Sequence, residues 1–78
     1  MMATLKILEA LPRDGYKVWL KFNDGTTGEA DLSHLAGKGV FELWDNIENF
    51  KKFSIEDGRR LEWVDEIDLD ADSLYMKI

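Results

Sequence analysis

The chain has 78 residues, a formal net charge of −6 and no cysteine, which excludes disulfides, thiolate chemistry and cysteine-based zinc sites. An apolar fraction of 45% that includes three tryptophans and four phenylalanines supports a packed core despite 33% charge. A chain this short buries only about 60% of its unfolded surface, and no apolar run is long enough to span a bilayer, so one small cytoplasmic domain over residues 1–78 is expected.

The charge is one-sided. Residues 1–40 hold five bases and five acids, whereas residues 41–78 hold five bases and eleven acids. An acidic half repels phosphate backbones, so direct nucleic-acid binding is not expected, and a basic partner is more natural than an acidic one. The N-terminal MMATLKILEALPRDG lacks the basic start, apolar centre and small-residue site of a signal peptide.

In chain order, residues 4–11 alternate as a strand in which Leu5, Ile7 and Leu11 share one face and Lys6, Leu8 and Ala10 the other, with Glu9 the misfit. Pro12 and Asp14-Gly15 end it. Residues 16–22 give the cleanest alternation: Tyr16, Val18, Leu20 and Phe22 point inward, Lys17, Trp19 and Lys21 outward. Asn23-Asp24-Gly25 then turns the chain. A two-residue loop would drive Glu29 into the core, whereas a three-residue loop with left-handed Gly25 pairs Leu20 with Gly28, Val18 with Ala30 and Lys17 with Asp31.

Residues 33–44 read as a connection with short helical turns, interrupted at Gly37 and Gly39, whose Leu35, Val40, Phe41, Leu43 and Trp44 cover the core. Asp45 followed by Glu48 resembles a capping box for a short helix through Ile47 and Phe50. A second hairpin follows, whose Glu56-Asp57-Gly58 loop pairs Phe53 with Leu61 and Lys52 with Glu62 and turns Trp63 inward. The tail alternates through Ile67 and Leu69, then turns helical with Asp70 as N-cap, Asp72 in the first turn and Leu74 packing back. The expected fold is α+β: an antiparallel sheet of four or five strands built from two hairpins, with short helices on one face and a short C-terminal helix.

No catalytic constellation emerges. Asp68, Asp70 and Asp72 have the spacing that begins a calcium loop, but its sixth position is Ser73 where the loop requires glycine. Capping and alternation already explain these acids. His34 stands alone, without the second imidazole or the thiolates of a transition-metal site, and its neighbour Ser33 has no orienting acid. Gly37-Lys38-Gly39 is a fragment without the spacing of a phosphate loop, and Arg59-Arg60 reads as two solvated ends. Neither metal nor cofactor is therefore expected. The candidate interaction surface comprises Trp19 with Lys17 and Lys21, and the acidic turn Asp65, Glu66 and Asp68. A tryptophan between two lysines, with Leu8 and Ala10 beside it, has the character of an interface anchor.

Phe22-Asn23-Asp24-Gly25, Asp31-Leu32, Gly37-Lys38-Gly39-Val40-Phe41, the Phe50 region and Trp63 through Leu74-Tyr75 occur in an order that resembles the bacterial DUF2442 family, small domains of unassigned function. Val64-Asp65-Glu66 departs from the proline, asparagine and glycine that often follow the family's tryptophan, and Ala71-Asp72 lacks a proline common in relatives. The resemblance implies an α+β domain found alone or joined to a helix-turn-helix module, often encoded beside a small toxin-like protein. It transfers no catalytic residue.

These readings converge on a non-enzymatic interaction domain, an antitoxin-like partner of a small basic protein, existing as a monomer or weak homodimer. The alternative is a regulatory domain that senses a small ligand and is normally coupled to a DNA-binding module.

Overall fold

The computed structural model describes residues 4–35, 39, 44–63 and 67–78. It is an α+β structure with two antiparallel three-stranded sheets, ordered β1-β2-β3 and β4-β5-β6. The first comprises β1 (Ile7–Arg13), β2 (Lys17–Phe22) and β3 (Thr27–Asp31). A short 3-10 turn (Ser33–Leu35) and helix α1 (Ile47–Phe50) precede the second sheet, made of β4 (Ser54–Glu56), β5 (Arg60–Glu62) and β6 (Asp68–Asp70), and α2 (Ala71–Tyr75) follows.

The β2–β3 hairpin forms as the alternation dictates. Leu20 faces Gly28, Val18 faces Ala30 and Lys17 faces Asp31. Gly25 is left-handed at φ 90°, and the Phe22 amide donates to the Thr26 carbonyl at 2.9 Å. Asn23 fixes the incoming chain to this turn: its amide donates to the Lys6 carbonyl at 2.9 Å, and its side-chain Oδ1 accepts from the Lys6 amide at 3.0 Å.

β1 departs from simple alternation. Ile7 pairs with Phe22 but Glu9 with Lys21, so Leu8 is an extra residue, a β-bulge. The bulge inverts the phase of the strand. Glu9 moves to solvent, Ala10 faces inward opposite Leu20, and Leu11 comes out beside Trp19. The expected grouping of Leu11 with Leu5 and Ile7 is thereby corrected, because unbroken alternation would bury a carboxylate. Pro12 lies within β1 rather than ending it.

The expected single sheet of four or five strands is also corrected. Among the described residues the sheets meet at one backbone hydrogen bond, from the Ile7 amide to the Gly58 carbonyl at 2.7 Å. The bulge at Leu8 bends β1 immediately afterwards, so no ladder continues between the sheets. Gly58 holds φ 70°, and a Cβ there would lie 3.0 Å from the Lys6 Cβ. Both conditions call for glycine.

The second hairpin is set one residue later on each strand than expected. Ser54 pairs with Glu62, Ile55 with Leu61 and Glu56 with Arg60. Asp57 and Gly58 both take positive φ, and the Arg59 amide closes the turn onto the Glu56 carbonyl at 2.9 Å. Shifting both strands together preserves the inward side of Leu61. The α1 cap is likewise displaced: Asn46, not Asp45, accepts from the Glu48 amide, at 3.1 Å. Asp70 occupies the extended N-cap position of α2, but its side chain makes no capping bond.

One core joins these parts: Ile7, Val18, Leu20, Phe22, Ala30 and Leu32 from the first sheet and its continuation, Leu61, Trp63 and Ile67 from the second, with Trp44, Phe50, Ala71 and Leu74. Trp63 is 2% exposed, and its Nε1 donates to the Phe50 carbonyl at 2.7 Å. Its ring contacts Trp44, Phe50 and Phe53 at centroid distances of 5.0, 6.1 and 5.4 Å. Tyr16, left-handed at φ 61°, stacks edge-on against Phe50 at 5.2 Å and donates its hydroxyl to the Trp44 carbonyl at 2.6 Å. These contacts offset the strain of a bulky residue at positive φ. Val40, Phe41 and Leu43, expected to cover the core, lie outside the described residues.

Truncating Trp63 removes both the aromatic packing and the partner of a buried carbonyl. Trp63→Ala is expected to lower stability by about 3–5 kcal/mol, close to the total for a domain this small, read from chemical denaturation. Gly58→Ala should cost about 1–2 kcal/mol through the left-handed backbone and the contact with Lys6, measured in the same way.

Candidate functional site: the outer face of the first sheet

Cross-strand partners share a face, so the register of β1-β2-β3 defines its solvent side. Lys21 lies between Glu9 and Thr27, Trp19 between Leu11 and Glu29, and Lys17 between Arg13 and Asp31. Trp19 is therefore at the centre of a face whose rim is charged. It is partly exposed, while Leu11 beside it is 47% exposed and Leu8 at the bulge 54%.

The rim is laced by long ion pairs. Arg13 Nε lies 3.8 Å from Glu29 Oε2, reaching across β2, and Lys21 Nζ lies 3.8 Å from Glu9 Oε2. All four side chains are about half exposed, so the pairs hold the rim in place but contribute little stability. The Asp31 carboxyl is held below the usual aspartate range by hydrogen bonding to Ser33 and, less, by the charge of Lys17. The Ser33 amide donates to its Oδ1 at 2.9 Å.

Of the residues singled out from sequence, Lys17, Trp19 and Lys21 are brought together here. Asp68 is on the other sheet, where its Oδ2 lies 3.9 Å from Arg60 Nε. Asp65 and Glu66 lie outside the described residues, as does Val64, so the departure from the family pattern after Trp63 does too. Leu11, Arg13, Glu9 and Glu29 join the face without having been singled out. Glu9 carried the signal: a lone acid on the inward phase of an apolar strand marks a bulge, and a bulge at Leu8 places Leu11 rather than Ala10 beside Trp19.

The other candidates take ordinary places. His34 is exposed in the 3-10 turn, and Arg60 Nε bonds Glu62 Oε2 at 3.4 Å. Gly37 and Lys38 lie outside the described residues. Among the described residues no group of three or more histidines and carboxylates is placed to hold a metal ion, and no helix is long and apolar enough to cross a membrane. Among the described residues, two surface clefts stand out. One of about 420 Å³ is lined by Thr4, Leu5, Arg59, Asp70, Ala71 and Asp72. The other, of about 390 Å³, lies between Lys52, Phe53, Ser54, Glu62 and Trp63.

The family model for a protein of unknown function, DUF2442, matches residues 7–78. The chain belongs to that family. Neither a curated protein nor a solved structure matches it. The F-x-D-G hairpin of this DUF2442 domain has a structural task, because Asp24 links it to α2. The Tyr75 hydroxyl donates to Asp24 Oδ2 at 2.8 Å and lies 3.1 Å from Thr26 Oγ1, while the Thr26 amide donates to Asp24 Oδ1 at 2.9 Å. These bonds, the Thr26 amide first and Tyr75 second, hold the Asp24 carboxyl below its ordinary value of 3.8.

The unfolded chain thus protonates Asp24 more readily than the folded one. The stabilisation is complete above the ordinary value of 3.8 and is lost as pH falls through the lower folded-state value. Tyr75→Phe is expected to raise the Asp24 pKa toward the ordinary value and to flatten the acid limb of the stability curve, as followed by carboxyl-carbon NMR and by melting below pH 5.

Proposed function

We propose that the chain is a protein-binding domain rather than a catalyst, and that a small basic protein docks on the outer face of β1-β2-β3. The observation that carries this reading is the placement of Trp19: a partly exposed aromatic beside the exposed Leu11, encircled by charges whose mutual pairing is long and weak. Interfaces concentrate binding energy in such central aromatic anchors, with a polar rim around them. The net charge of −6 favours a cationic partner by long-range attraction, which raises encounter rates at low salt. An antitoxin-like role, which the family resemblance implies, is the form this binding would take, and it would take place in the cytoplasm.

The ligand-sensing alternative would use the cleft beside Arg59, Asp70 and Asp72, whose mixed charges suit a small polar molecule. It calls for a ligand-dependent rise in melting temperature that Trp19→Ala leaves intact.

Capture from a lysate of the source cell, read by mass spectrometry, separates the two. A basic protein is expected to be retained at about 0.1 M salt and released toward about 1 M, where the screening length falls from about 10 Å to about 3 Å. Trp19→Ala should weaken its binding by about 2 kcal/mol, roughly 30-fold, with an unchanged melting temperature. Capture that ignores both salt and Trp19→Ala overturns the proposal.

A further inference from the structure

The two edges of the first sheet are not equivalent. In an antiparallel pair, hydrogen-bonded and non-bonded positions alternate. The Phe22 amide bonds the Thr26 carbonyl and the Leu32 amide bonds the Tyr16 carbonyl. By that alternation Gly28 and Ala30, opposite Leu20 and Val18, also bond β2. The amides and carbonyls of Thr27, Glu29 and Asp31 therefore point away from β2, and none has a hydrogen-bond partner among the described residues.

β1 is closed to an added strand. Its positions opposite Lys17, Trp19 and Lys21 bond β2, which leaves Ala10 and Pro12 facing the edge. Pro12 has no amide to donate, the bulge at Leu8 breaks the repeat, and the Ile7 amide is taken by Gly58. The outer strands of the second sheet, β4 and β6, are only three residues long. β3 spans five residues and has neither proline nor bulge.

We infer that the free edge of β3 adds an extended, basic segment of a partner protein as a further strand of the first sheet. The inference rests on the reading of the chain as a protein-binding domain and names how the partner is held. Side chains of the added strand that face outward would lie beside Glu29 and Asp31. Both carboxylates are exposed, and the competing Arg13–Glu29 pair is long, at 3.8 Å. Lysine or arginine at alternate positions therefore complements this edge. A second copy paired antiparallel about Glu29 does not, because it would set that carboxylate against its own counterpart. The same outward row continues the face that Trp19 centres, so one partner reaches both.

The test is a synthetic peptide alternating lysine with valine, added to the isotopically labelled full chain. Hydrogen exchange at the Thr27, Glu29 and Asp31 amides is expected to slow by about tenfold or more on saturation, and a glutamate–valine peptide should give no protection. Glu29→Pro removes one outward donor and no bond to β2, so it should bind the peptide about tenfold more weakly than Glu29→Gln, which loses the same charge. Peptide binding without protection of these three amides, equal binding by the two variants, or protection that arises from self-association in sedimentation would each overturn the inference. If the protein captured from lysate is lost with Trp19→Ala but retained by Glu29→Pro, edge addition is wrong and the protein-binding reading stands. If neither variant alters capture, both fall.

Discussion

The fold depends on one buried hydrogen bond and the rings around it. Trp63 donates its indole N–H to the Phe50 carbonyl, which ties the second sheet to the end of α1. A buried carbonyl at a helix end needs a donor, and a buried indole needs an acceptor, so each resolves the other's cost. Trp44, Phe50 and Phe53 then fill the space around the indole, and Tyr16 extends the cluster to the β1–β2 turn. A chain of this size has room for little else in its core. Concentrating the large aromatics at one junction lets two small three-stranded sheets share a single interior.

That junction leaves the sheets joined by packing more than by hydrogen bonds. The Ile7–Gly58 bond aligns them, and the Leu8 bulge turns β1 away before a ladder can form. The same bulge has a second effect, because it resets which β1 side chains reach the solvent. A local feature that spares Glu9 from burial also builds the Leu11–Trp19 pair on the outer face. Structure at the core boundary and the character of the surface thus have one cause.

The outer face and the β3 edge are adjacent parts of one surface. Tyr75 and Ile78 secure β3 from the side of the C-terminal segment: Tyr75 grips the hairpin turn through Asp24, and Ile78 lies over Gly28, where any side chain would collide with it. β3 is therefore held from its inner side and from β2, while its remaining edge makes no backbone hydrogen bond among the described residues. A strand fixed in this way is a preorganised template, and the ordering cost of binding falls mainly on whatever pairs with it.

Local patterns in the sequence determined much of this. The alternation of Val18, Leu20 and Phe22 fixed the inward face of β2, and the need to keep Glu29 in solvent selected the three-residue loop at Gly25. Trp63 as the core anchor and Lys17, Trp19 and Lys21 as one outward, partly exposed row followed from the same period of two. What the tertiary structure decided was relational. No local signal states that two hairpins remain separate sheets, since that depends on whether one edge meets another in space. The bulge at Leu8 and the pairing of Leu11 with Trp19 resolve a conflict between local alternation and a core that accepts no unpaired charge, while the register of the second hairpin is set by which residues close its turn. Such conflicts are settled by which surfaces meet, and that is a property of the folded chain as a whole.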